Sequence, residues 1–217
     1  MEHKIDTALI VRNSFALLSA NLPTTLVAML VLVLLGTVAD AAGSDGAGLN
    51  LAIGIGTLFA QYGVTRGALR GAGLLDAEGR AGRGGSFALA QILTSLAIAI
   101  GFAFLILPGI YLWARWSLVA PLIIGEGMTS SKAMRESWSR TQSLVAPISA
   151  AMLLSSVPIL FFVGTLFLYP EYGPVPIGLA LVSNLFAYTA QALIWHAAVA
   201  IHRLTRGPSN DLEQVFA

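Results

Sequence analysis

Few side chains in this sequence can do chemistry, and they are scattered. Arg115 stands in an otherwise apolar stretch, where an arginine is costly near a bilayer centre and is normally given a partner or a task. It can reach headgroups by snorkelling, or receive an anionic ligand or a buried carboxylate. Asn184, Tyr188, Gln191 and Trp195 recur at intervals of four, three and four, which puts amide, phenol and indole groups on one helical face. Such a face serves either hydrogen bonds between helices or the lining of a site for a lipid headgroup or small solute. Arg115 and these four residues are the candidate ligand- or lipid-binding set. Gln61 and Gln91, in other apolar runs, can add to either role.

The other reactive types point away from catalysis. Glu126 follows Arg115 by eleven residues, about 16 Å along a helix axis, so the two cannot pair within one helix. Arg135 or Arg140 is the nearer match for that carboxylate. His196 and His202 are six apart and do not share a helical face, so no metal site is expected. No Ser/His/Asp set or carboxylate pair stands out. The glycine- and arginine-rich stretch 66–85 lacks the preceding strand and the lysine-serine ending of a phosphate loop. It reads instead as a flexible basic loop against anionic lipid. The expectation is a protein that is not an enzyme and holds no cofactor.

The elements that carry these residues follow from composition. The chain has 217 residues, 56% hydrophobic and 11% charged, with a mean hydropathy of +0.78. That much apolar surface cannot be hidden in a soluble core of this size, so lipid must be its solvent. A net charge of +1 gives no pull toward nucleic acid, and the lack of cysteine excludes disulfides. The expected fold is all-α: a polytopic membrane helical bundle of six spans, near 22–40, 48–65, 86–107, 110–126, 145–168 and 176–201. The first run is too long for a signal-peptide core and is expected to be a retained span.

Charge distribution orients the bundle. The connections 40–50 and 169–175 hold no lysine or arginine, whereas Arg66, Arg70, Arg80 and Arg83, then Lys132, Arg135 and Arg140, fill the alternate ones. With Lys4 and Arg12 ahead of the first span and Arg203 and Arg206 after the last, both termini are expected in the cytoplasm. This requires an outward reversal at Pro108-Gly109, the competing reading being a kink in one long helix. Tyr111, Trp113 and Trp116, with Tyr169 and Tyr172, then fit an outer aromatic belt. Two interfacial amphipathic helices are expected, near 3–18 and 130–142. In the second, Met134, Trp138 and Thr141 share one face, and Glu136 is spaced to pair with Arg140. Arg12-Asn13-Ser14-Phe15 and Arg135-Glu136-Ser137-Trp138 each precede a proline-bearing helix start. An internal repeat therefore fits, with halves near 1–70 and 130–206 joined by a hairpin at 86–126 within one membrane domain, 1–217; chance likeness of apolar segments fits too.

The run Leu107-Pro108-Gly109-Ile110-Tyr111-Leu112-Trp113-Ala114-Arg115 continues through Pro121 to Glu126-Gly127 and Ala133-Met134-Arg135-Glu136-Ser137-Trp138. It resembles the signature region of the membrane domain of glycerophosphoryl diester phosphodiesterases and of the YciC-like inner-membrane proteins. The resemblance is most specific over 107–142, and marks Pro108, Gly109, Glu126, Arg135, Ser137 and Trp138 as its structural motif. It implies a multi-pass protein of the bacterial inner membrane. It does not imply the phosphodiesterase reaction, which in fused members belongs to a separate soluble barrel. The function expected is non-enzymatic: engagement of membrane lipids, or of a protein partner or second copy, in support of the envelope. The alternative is a small transporter or lipid-handling carrier for an anionic headgroup or solute.

Overall fold

A computed structural model describes residues 5–43, 47–76, 83–168 and 174–206. His3, Lys4, Arg80, Tyr169 and Tyr172 lie outside these residues. The described chain is all-helical: α1 (Thr7–Ala20), α2 (Leu22–Ala42), α3 (Ala47–Gly71), α4 (Gly84–Phe104), α5 (Ile106–Arg115), α6 (Val119–Glu126), α7 (Ser130–Arg140), α8 (Val145–Ser156), α9 (Ile159–Leu168) and α10 (Ile177–Thr205).

Four helical segments among the described residues are long and apolar enough to cross a membrane: α2, α4, α5 with α6, and α10. The outward faces of α2 and α4 expose Leu26, Val27, Leu30, Leu89, Ile92 and Leu96, an apolar surface of the kind that lipid covers. The protein is therefore a multi-pass membrane protein. Two of the six expected spans differ from simple crossings. The 145–168 span is a pair of helices bent by 56° at the break after Ser156. The 48–65 span is present as the long helix α3, but is not among the sufficiently apolar segments. Asn50, Gln61 and Tyr62, with several glycines, dilute its apolar content.

The core is built around α6. Val119 to Gly125 are all buried, and Leu122, Ile123 and Ile124 pack in one cluster with Ile10, Leu69, Ile148 and Ile201 from α1, α3, α8 and α10. Burying a leucine or isoleucine is worth roughly 1.5–3 kcal/mol, so this short helix anchors its neighbours despite its eight residues.

A reversal does separate α4 from α5, but it is displaced from Pro108-Gly109. The chain turns at Leu105, whose backbone is extended (φ −159°, ψ 143°). The Oγ of Ser130, just beyond α6, donates to the Ser86 carbonyl near the start of α4 at 2.9 Å, so α5 and α6 retrace α4. Pro108 sits in the first turn of α5, where a missing amide hydrogen costs nothing. Gly109 is the contact point: a Cβ built on Gly101 of α4 would lie 3.0 Å from its Cα, and one on Gly109 would enter the Phe102 ring. The Pro-Gly pair starts a helix and lets it approach its neighbour, leaving the reversal itself to Leu105.

Candidate functional site

A break in the α5–α6 span shapes the polar interior. Helix α5 ends at Arg115 and α6 resumes at Val119, which would leave backbone groups unpaired inside the protein, an expensive state in an apolar medium. Helix α7 folds back and repairs it. The Ser137 hydroxyl donates to the Arg115 carbonyl at 2.7 Å and accepts from the Leu118 amide at 3.2 Å. The Thr141 hydroxyl is 3.3 Å from the same carbonyl. The buried stripe of α7 is thus Ala133, Ser137 and Thr141, whereas Trp138 is 38% exposed. Of the expected face, Thr141 is buried and Met134 packs against the core while Trp138 is partly out; the hydroxyls of Ser137 and Thr141 sit innermost because they reach backbone.

Arg115 is only 3% exposed. It lies about ten residues, roughly 15 Å of helix rise, beyond the turn, deeper than a turn at Pro108-Gly109 implies. Its guanidinium carbon sits 4.3 Å from the Trp138 ring centroid and 5.7 Å from that of Tyr111, so aromatic faces offset the charge. Its position in the last turn of α5 also suits the helix dipole. Its Nε and Nη1 donate to nothing among the described residues.

Glu126 is held by Arg140 through two bonds of 2.8 and 3.0 Å. Arg140 also binds Glu136 at 2.7 Å, and Arg135 stays exposed. Burial opposes the Arg140 charge, but the bonds and charges of Glu126 and Glu136 outweigh it and hold the guanidinium above its ordinary value. The buried His202 ring lies 3.7 Å from Glu126. Gly127 ends α6 in the left-handed conformation (φ 63°, ψ 26°), which favours glycine. Of the motif residues, Glu126, Ser137 and Trp138 tie α5, α6 and α7 into one unit, while Arg135 takes no part.

Behind that unit lies a cavity of about 420 Å³ between α3, α4, α5–α6 and α10. Its walls carry Gln61, Gln91 and Gln191, the hydroxyls of Thr57, Thr94, Ser95 and Ser117, and the indoles of Trp113, Trp116 and Trp195. Thr57, Thr94 and Ser117 spend their hydroxyl protons on backbone carbonyls within their own segments. Gln61, Gln91 and Gln191 are partly exposed, and no hydrogen bond from their amides occurs among the described residues; the Trp195 Nε1 is buried away from the cavity and has no partner among them. Gly54 and Ser95 are exposed while Thr94, Ser117 and Trp195 are buried, so the chamber opens between α3 and α4.

This arrangement divides the sequence candidates. Gln191 and Trp195 line the chamber; Asn184, Tyr188 and Arg115 do not. Asn184 donates to Asp40 of α2 at 2.6 Å and to the Ala180 carbonyl at 2.9 Å, a tie between helices. Tyr188 packs against the cluster of Leu32, Val64 and Trp195. Trp113 and Trp116 turn into the chamber rather than out to a belt. The hydroxyl side chains and these two tryptophans were missed as site residues. The one signal for the chamber in the sequence is that Gln61, Gln91 and Gln191 each interrupt an apolar run. No protein-family model, curated protein or solved structure matches the chain.

Proposed function

We propose that this chain is a non-enzymatic protein of a bacterial inner membrane, with both termini cytoplasmic, that binds a small ligand in the chamber between α3, α4, α5–α6 and α10. One observation carries the reading: three partly exposed glutamines from three helices line one cavity, and no hydrogen bond of theirs occurs among the described residues. Unpaired polar groups in an apolar surrounding cost stability, so their retention is accounted for by something that pairs with them. The mouth between two helices faces the bilayer, which favours membrane lipids as the partners over a docked protein or second copy. The likeness of residues 107–142 to the phosphodiesterase membrane domain is consistent with this role, since that stretch here braces the chamber wall. The asymmetry of basic connections supports the orientation.

Native mass spectrometry of gently purified protein tests the reading. A stoichiometric ligand is expected on the wild type, lost in the double variant Gln91→Leu/Gln191→Leu and kept in Lys132→Ala, which alters only an exposed surface charge. Protein that carries nothing, or bulk lipid indifferent to the chamber variant, overturns it. Flux of the identified ligand across liposomes would extend the binding role to that of a carrier.

A further inference from the structure

We propose that the chamber takes an uncharged, polyhydroxylated group, a sugar or polyol, rather than an anionic headgroup. This rests on the reading that the chamber binds a ligand, and adds its chemistry. The first argument is charge. No acidic, basic or histidine side chain lines the chamber among the described residues. Arg115 is turned to Trp138 and Tyr111, and Glu126 is taken by Arg140. A charged ligand would leave bulk water for a site whose lining offers no counter-charge, which is unfavourable.

The second argument is the type of polar group. Each glutamine amide offers two donors and an acceptor, and a ligand hydroxyl is itself both donor and acceptor. Gln61, Gln91 and Gln191, from three different helices, thus converge as partners for several hydroxyls on one compact group. A purely apolar occupant such as an acyl chain would leave all of these unpaired. The third argument is shape. Trp113 and Trp116, both partly exposed, line the chamber, and an indole is a surface on which the weakly positive C–H groups of a sugar ring can pack. The volume of about 420 Å³ lies in the lower part of the usual small-molecule range, about 300–1,000 Å³.

The same chemistry is offered by the headgroup of a neutral glycolipid entering sideways past Gly54 and Ser95, and by a free polyol. The test uses protein in phosphatidylcholine nanodiscs, with three probes: monoglucosyl diacylglycerol in the disc, glucose in solution, and phosphatidic acid in the disc. Binding is read by tryptophan fluorescence and by native mass spectrometry. A saturable response to the glucosyl lipid is expected, weakened about 3- to 10-fold by Gln91→Leu and again by Gln191→Leu, as loss of one neutral hydrogen bond each requires. Melting temperatures should hold, because leucine removes an unpaired polar group. Gln191→Asn, which keeps a shortened amide, should fall between, and serves where a leucine variant does not fold. An equal response to glucose alone supports the chemistry and assigns a free polyol as its source. Phosphatidic acid binding as tightly, with the glutamine variants unaffected, overturns the chemistry and leaves a binding role standing. No response to any probe, from protein that also purifies empty, overturns the chamber as a binding site altogether.

Discussion

At the scale of single residues, the polar side chains inside this membrane protein divide by whether their hydrogen bonds are spent. Asn184 and Ser137 are spent on Asp40 and on a broken backbone, so they hold the fold. Gln61, Gln91 and Gln191 are unspent and face a chamber. Glu126 belongs to the first group, its two oxygens bonded to Arg140 in a setting where the Glu126 side chain is 9% exposed and that of Arg140 19%. Glu126→Gln should therefore destabilise the protein by about 2 kcal/mol, measured as a fall in melting midpoint in detergent, with chamber binding unchanged. Because the Arg140 value is raised on folding, its contribution is complete at neutral pH and is lost only as pH rises through the guanidinium range. A Glu126→Gln protein as stable as wild type would show the pair to be neutral.

At the scale of elements, the α5–α6 break is the feature that would be worst for a membrane protein if left alone. Helix α7 makes it tolerable, since one hydroxyl serves both the Arg115 carbonyl and the Leu118 amide. Ser137→Ala strands the buried Leu118 amide, while Thr141 still reaches the carbonyl. The expected cost is about 1–2 kcal/mol, rising further in Ser137→Ala/Thr141→Val. Hydrogen exchange at Leu118 should accelerate before that of α6 as a whole. Uniform protection across α6 in the single variant would mean that the break is held by packing alone. The break went unread in the sequence although Pro121 marks it: proline cannot donate to the Ser117 carbonyl four residues back and suits the first turn of a new helix, so the apolar run 110–126 is interrupted just ahead of it. The α4–α5 reversal was nearly legible, and its displacement from Pro108 to Leu105 has a simple cause: proline and glycine also suit a helix start and a close crossing.

At the scale of the whole molecule, the proposed orientation makes a direct prediction. The chain has no cysteine, so single cysteines report without background. Lys132, Arg203 and Pro174 are all exposed, the last in the connection that leads into α10. In intact cells, Lys132→Cys and Arg203→Cys should be shielded from an impermeant maleimide and Pro174→Cys should react; the opposite pattern would invert the orientation. What the sequence determined by itself is what depends on composition and local pattern: an all-α fold in lipid, the rough positions of its apolar segments, and the pairing of Glu126 with a neighbouring arginine. Hydropathy and helix periodicity are sums over neighbours along the chain, and such sums survive without knowledge of packing. Only the tertiary structure decided that Arg115 is stacked on Trp138 and stands off the chamber, that Asn184 ties α10 to α2, and that Trp113 and Trp116 face inward. Those outcomes depend on which helices lie side by side and on how each is rotated about its axis. In lipid, apolar faces turn outward as readily as they turn together, so rotation is set by the few contacts between helices, and no stretch of sequence contains both sides of them.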